Sequence, residues 1–154
     1  MLLETFNQTP IQKLSEDINN NAFYIKRDDL FPISFGGNKA RKAIQFFQEL
    51  EFLSCNCVVT YGSSSSNHCR VIANISASKS LPCYIITPNE TIKNTFNSQM
   101  VNLYGAEVIN CPVSEVKQTI NRCLSQLEEK GFKPYFIQGG GHGDLGTKAY
   151  VDAY

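Results

Sequence analysis

What this 154-residue sequence lacks narrows its role before any motif is read. It has no charge excess, because fourteen lysines and arginines balance fourteen aspartates and glutamates. Binders of nucleic acid or other polyanions usually carry a basic surplus, so no nucleic-acid partner is expected. No apolar run approaches the ~20 residues that cross a bilayer, so no membrane partner is expected either. Met1 to Glu4 turns polar too soon for a secretory leader. No internal repeat appears, and no low-complexity tract beyond the four serines at 63–66. The six cysteines (55, 57, 69, 83, 111 and 123) lack the paired two-residue spacing of zinc modules, so no metal site is expected. They fall mostly in apolar runs such as Cys57-Val58-Val59 and Cys83-Tyr84-Ile85-Ile86. Buried free thiols in a reducing cytoplasm therefore account for them better than a disulfide scaffold. The length suits about one domain with a substantial core.

What is present is an alternation of short β-rich runs and amphipathic stretches. Residues 57–61, 83–87, 107–110 and 135–137 read as strands. Periodicity predicts helices over about 67–79, 91–104 and 113–130. The last has Val116, Ile120, Leu124 and Leu127 on one face, Ser114 as its N-cap and Gly131 as its stop. An earlier helix is predicted over about 40–53, and a final one from near Asp144 that is still running at Tyr154. Residues 1–34 read as irregular structure around one strand at 23–26, preceded by a turn at Asn19-Asn20-Asn21. This is the pattern of an α/β fold, a parallel open sheet with helices on both faces. Ligands of such sheets bind beyond the carboxyl ends of the strands. Two loops rich in glycine or serine fall there, at 62–67 and 139–143.

Two stretches could carry chemistry. In Phe35-Gly36-Gly37-Asn38-Lys39-Ala40-Arg41-Lys42 the glycines allow a tight turn and Lys39 sits where loop becomes helix. The positive helix end and the cations at 41 and 42 favour a free amine, suited to a Schiff base with an aldehyde cofactor. The stretch reads equally well as a glycine turn with a solvated lysine, or as a nest for phosphate. Ser63-Ser64-Ser65-Ser66-Asn67-His68 follows a strand and opens a helix, where amides and hydroxyls can hold a carboxylate or phosphate. Spacing alone favours simple capping by Ser66 or Asn67, with the other serines solvated. An alternative function is therefore a non-catalytic doubly wound domain that binds a phosphate or carboxylate metabolite.

Together with Thr9-Pro10-Ile11-Gln12-Lys13-Leu14 and Tyr24-Ile25-Lys26-Arg27-Asp28-Asp29-Leu30, these stretches resemble a known family. It comprises the pyridoxal 5'-phosphate (PLP) enzymes of the 1-aminocyclopropane-1-carboxylate deaminase and D-cysteine desulfhydrase type, of the tryptophan-synthase-β-like fold type II. The similarity continues through Ser66-Asn67-His68-Cys69-Arg70, the segment from Asn97 to Val108, and that from Gly131 to Val151. It covers nearly the whole chain but only the N-terminal half of a family member. It implies a PLP-dependent lyase or deaminase acting on a small amino acid. Lys39 would be the catalytic, cofactor-bearing lysine, with Asn38 and Asn67 also at the cofactor. Ser66, Asn67 and His68 would contact the substrate, Ser66 sharing in catalysis. The resemblance further implies a lead-in of the large domain at 1–53, a small α/β domain at 54–138 and a truncated return into the large domain at 139–154. Full-length members would be homodimers. The family's second phosphate loop, its ring-nitrogen partner and its later tyrosines lie past the matched region, so the 154-residue chain alone is expected to be inactive. Departures at Gln138, His142, Ala43-Ile44 and the serine run leave the substrate open, while His68 leans towards the desulfhydrase branch.

Overall fold

The computed structural model describes residues 9–14 and 21–153. The turn expected at Asn19-Asn20 and the chain end at Tyr154 lie outside the described residues. In chain order the elements are β1 (Ile11–Lys13), β2 (Tyr24–Lys26), α1 (Asn38–Phe52), β3 (Cys57–Tyr61), α2 (Asn67–Ser78), β4 (Cys83–Pro88), α3 (Phe96–Leu103), β5 (Glu107–Cys111), α4 (Val116–Glu129), β6 (Pro134–Ile137) and α5 (Asp144–Val151). Strands β3 to β6 form a four-stranded parallel sheet in the order β5-β4-β3-β6.

Val58, Val59 and Thr60 are consecutive β-branched residues, which suit a pleated strand better than a helix. All three are fully buried, as a central parallel strand requires. Successive side chains point to opposite faces. Val58, Ile85 and Ile137 meet Phe47 of α1 and Ile72 of α2 in one core layer, which also holds Val101 of α3. Cys57, Val59 and Ile86 meet Ile120, Cys123 and Leu127 of α4 in the other. Because α1 and α2 share a core, continuous packing crosses the expected boundary near residue 53.

The route of the chain positions the site. From β3 the chain steps outward to β4 and β5 through α2 and α3, on one face. It returns through α4 on the other face and lays β6 against the free edge of β3. Strand order reverses between β3 and β6, and a crevice opens at the carboxyl ends of two such neighbours.

Four expectations need correction. First, α3 starts at Phe96, not near Thr91, after a 3-10 turn at Asn89–Thr91. A reciprocal cap sets this start: Ser98 N donates to Thr95 Oγ1 at 3.2 Å, and Thr95 N donates to Ser98 Oγ at 2.9 Å. Second, Ser114 lies inside a 3-10 turn, Val113–Glu115, and caps nothing; α4 starts at Val116 from an N-cap without a side-chain bond. Third, Ile11–Lys13 is a strand, paired antiparallel with β2 in a region read as irregular. Fourth, α5 ends at Val151, with Asp152 as its C-cap, and does not run on. All six cysteines are free, five buried and Cys55 half-buried. Burial pushes the Cys69 thiol up to about 11 and the Cys83 thiol up to about 12, so neither is a ready nucleophile. No helix among the described residues is long and apolar enough to cross a membrane.

Candidate functional site

The loop that leads into α1 is an unusual run of backbone. Ser34, Phe35, Gly36 and Gly37 all have positive φ, at 48, 64, 71 and 88°. A Cβ on Gly36 would overlap the Asp28 carbonyl oxygen, which accepts the Gly37 amide at 2.7 Å. The Asp28 carboxylate accepts from Thr9 Oγ1 at 2.8 Å, and from Arg41 Nε and Nη2 at 2.7 Å each. The Arg41 guanidinium, itself 5.2 Å from the Phe31 ring centroid, holds that carboxyl below the usual carboxylate range. Arg41 was expected to crowd Lys39 with positive charge. Its charge is instead offset by Asp28. Lys39, half-buried in the first turn of α1, donates from Nζ to the Gly140 carbonyl at 2.9 Å, just beyond β6.

The start of α2 is built differently. Ser66 is its N-cap, with Oγ accepting the Cys69 amide at 3.3 Å. Ser64 is not solvated as expected. Its hydroxyl donates to the Thr91 carbonyl and accepts from Lys93 N at 2.9 Å, and its carbonyl accepts from Thr95 Oγ1 at 3.0 Å. These bonds staple the serine loop to the segment that leads into α3. Asn97, in the first turn of α3, donates from Nδ2 to the Ser65 carbonyl at 2.6 Å and to Asn67 Oδ1 at 3.1 Å. Its own Oδ1 accepts from Arg70 Nη1 at 3.0 Å, while Arg70 Nη2 donates to the Ser34 carbonyl at 3.0 Å. Arg70 also lies 5.3 Å from the Phe35 ring centroid, and Phe35 meets Phe96 edge-on.

Between these two helix starts lies a cleft of about 330 Å³, with residues 35–39 on one wall and Asn67 and Arg70 on the other. It unites Asn38, Lys39 and Asn67 from two stretches far apart in the chain. Asn38 lines it but donates its amide nitrogen to Tyr150 Oη at 2.9 Å, which ties α1 to α5. Ser66 is not among the lining residues. His68 departs furthest from expectation: its ring is only 2% exposed and does not face the cleft. Its Nε2 lies 2.9 Å from Thr60 Oγ1, whose proton goes to the Ile137 carbonyl at 2.7 Å. Thr60 can therefore only accept from the ring, so Nε2 carries the hydrogen. Burial, then the nearby charges of Lys39, Lys42 and His142, push the His68 pKa down to about 4, and the ring is neutral near pH 7.

Residues 2–153 match the family model described as pyridoxal-phosphate dependent enzyme. The chain belongs to that family. It is 33% identical over 161 residues to the D-cysteine desulfhydrase of Yersinia enterocolitica, across 94% of this chain and 47% of the relative. Against the D-cysteine desulfhydrase of Serratia proteamaculans it is 34% identical over 159 residues, across 93% and 46%. The crystal structure of a homologue of 1-aminocyclopropane-1-carboxylate (ACC) deaminase superposes with a TM-score of 0.81 at 29% identity, over 95% of this chain and 46% of that one. The chain thus spans about half the length of the curated relatives it matches.

The cleft of this PLP-family chain fits the aldehyde and ring end of the cofactor. Lys39 brings a primary amine to the wall, and a Cβ built on Gly37 would meet nothing within 4 Å, so that wall is open. Asn67 lines the same cleft and brings a polar side-chain amide to it. Sequence reasoning missed Asn97 and Arg70 as parts of this site. The Thr95-Phe96-Asn97-Ser98 cap was a readable signal, since it marks a helix start at the cleft.

Proposed function

We propose that this chain is the N-terminal part of a PLP-dependent lyase or deaminase acting on a small amino acid, in the manner of a D-cysteine desulfhydrase or an ACC deaminase. The observation that carries this is the Lys39 amine at the cleft wall, which donates to the Gly140 backbone carbonyl. When bound, PLP supplies an electron sink for the carbanion left at the substrate α-carbon. Lys39 would hold the cofactor at its aldehyde carbon, and its amine would move the proton at the substrate α-carbon. Asn67 orients the ring. Ser66 and the start of α2 would take the substrate carboxylate, where the helix dipole favours an anion. His68 supports that turn from beneath through Thr60. The names of the Yersinia and Serratia relatives support D-cysteine or a similarly small amino acid as substrate. Family kinship supports a homodimer at full length, and the six free thiols support a cytoplasmic location.

Borohydride reduction of the chain with PLP, followed by peptide mapping, tests the assignment. The added mass should fall on the peptide containing Lys39 and vanish in Lys39→Ala while the circular dichroism stays unchanged. A label on Lys26 or Lys42 instead would overturn it.

A further inference from the structure

We propose that Asn97 is a positioning residue that decides which end of the Asn67 side-chain amide faces the cleft. The two ends of an asparagine amide are nearly the same size, so the polarity of the neighbours sets the orientation. Here the polarity starts from Arg70, which has donors and no acceptor. The Ser34 carbonyl and the Phe35 ring pin Arg70, and its buried Nε has no hydrogen-bond partner among the described residues. The end of Asn97 that meets Arg70 must therefore be its oxygen. The other end is the NH₂ group, and it meets the Ser65 carbonyl, which can only accept. The same NH₂ group meets Asn67 and demands an acceptor there too, so Asn67 turns its oxygen towards α3. What Asn67 leaves for the cleft is its own NH₂.

The relay thus joins three parts of the chain: the loop before α1, the first turn of α2 and the first turn of α3. Its product is a donor facing a cleft whose opposite wall holds the Lys39 amine. A donor in that place suits an oxygen that carries negative charge, as the PLP ring oxygen does; this consequence rests on the reading of the preceding subsection. A free amide could present its carbonyl to the same oxygen and repel it.

Asn97→Asp is the near-isosteric test. The new carboxylate still accepts from Arg70 but offers no donor, so Asn67 should turn its NH₂ away from the cleft to meet it. Without cofactor, the Asn67 side-chain NH₂ signals in nitrogen-15 NMR spectra of the 154-residue chain should shift. With PLP, affinity measured by absorbance should fall roughly tenfold, as for the loss of one hydrogen bond to a charged group. In an Asn67→Ala background the same substitution should cause no further fall, because the two effects share one path. Asn97→Ala, which adds no charge, should give a smaller loss and serves if Asn97→Asp does not fold. Unchanged Asn67 signals would overturn the proposal whether or not PLP binds. A loss that persists in the Asn67→Ala background would overturn it as well. Should Asn67→Ala itself leave PLP affinity unchanged, the assigned role of Asn67 at the ring fails, and the NMR result still decides the positioning.

Discussion

Two helices begin side by side at the cleft, and they begin in opposite ways. Helix α1 starts from Gly37 with no side-chain cap, after four residues at positive φ. Helix α2 starts from Ser66, an ordinary capped N-terminus, with Ser64 stapled sideways to the loop before α3. Strained backbone persists only where the surroundings over-determine it. At α1 that is the work of Asp28, whose carbonyl holds Gly37 and whose carboxylate joins Thr9 and Arg41. The restraint comes from behind the loop, and the face towards the cleft stays open for Lys39. At α2 the Ser66 cap is local, while Ser64 bonds Thr91 and Lys93, 27 and 29 residues away, so its hydroxyl is engaged. The same cleft thus has one wall shaped by positive-φ backbone held from behind and one wall shaped by side-chain caps and staples.

The contrast can be broken in four places, in falling order of effect. Gly36→Ala should be the most damaging, because its Cβ would meet backbone and its φ of +71° disfavours any side chain. A loss on the order of 4 kcal/mol is expected by urea unfolding. A loss comparable to that of a capping mutant would mean that the start of α1 is not over-determined.

Beneath the first turn of α2, His68 should make stability depend on pH. Its folded pKa, about 4, lies below the ordinary 6.5, so the unfolded chain binds the proton first as pH falls. Stability is unaffected above about 6.5 and is lost progressively from there down to about 4. The full loss is on the order of 3 kcal/mol. His68→Gln should remove most of that slope in unfolding curves taken at intervals between about pH 4 and about pH 7. An unchanged slope would place the titrating group elsewhere.

Ser64→Ala should cost about 1–2 kcal/mol by the same unfolding measurement, since it strands the Thr91 carbonyl and the Lys93 amide. It should also raise amide exchange at Lys93 and Thr95 while leaving α1 unaffected. Ser66→Ala should cost least, about 1 kcal/mol, the usual value of an N-cap. Ser66→Ala should also weaken substrate-analogue binding at unchanged fold, and unchanged binding would remove Ser66 from the carboxylate site.

Much of the architecture was readable because it is encoded locally. Strands β3, β4, β5 and β6 fall within a residue or so of their predicted bounds, since each is a short apolar run closed by glycine, proline or asparagine. Where local signals conflicted, the reading failed. Ile92 and Phe96 extend the apolar period of α3 upstream, yet Ile92 is exposed and the cap at Thr95 sets the start. Strand β1 carries no alternation of its own and exists through its partner β2. The position of Lys39 at a helix start was legible, because two glycines precede it and apolar periodicity follows.

By itself the sequence determined the α/β class, the alternation of elements, the free cysteines and the lysine at the mouth of α1. These follow from propensity and periodicity over windows of a few turns. Only the tertiary structure decided what surrounds that lysine. Gly140 meets Lys39 across 101 residues, Arg70 reaches Ser34 across 36, and Asn97 reaches Asn67 across 30. All three pairings depend on packing: β6 lies beside β3 because α4 crosses the far face, and α3 docks against α2. The same packing buried His68, which family resemblance had placed in contact with substrate. A side chain at a helix start can turn to the cleft or to the sheet, and here the sheet already offered Thr60 as an acceptor.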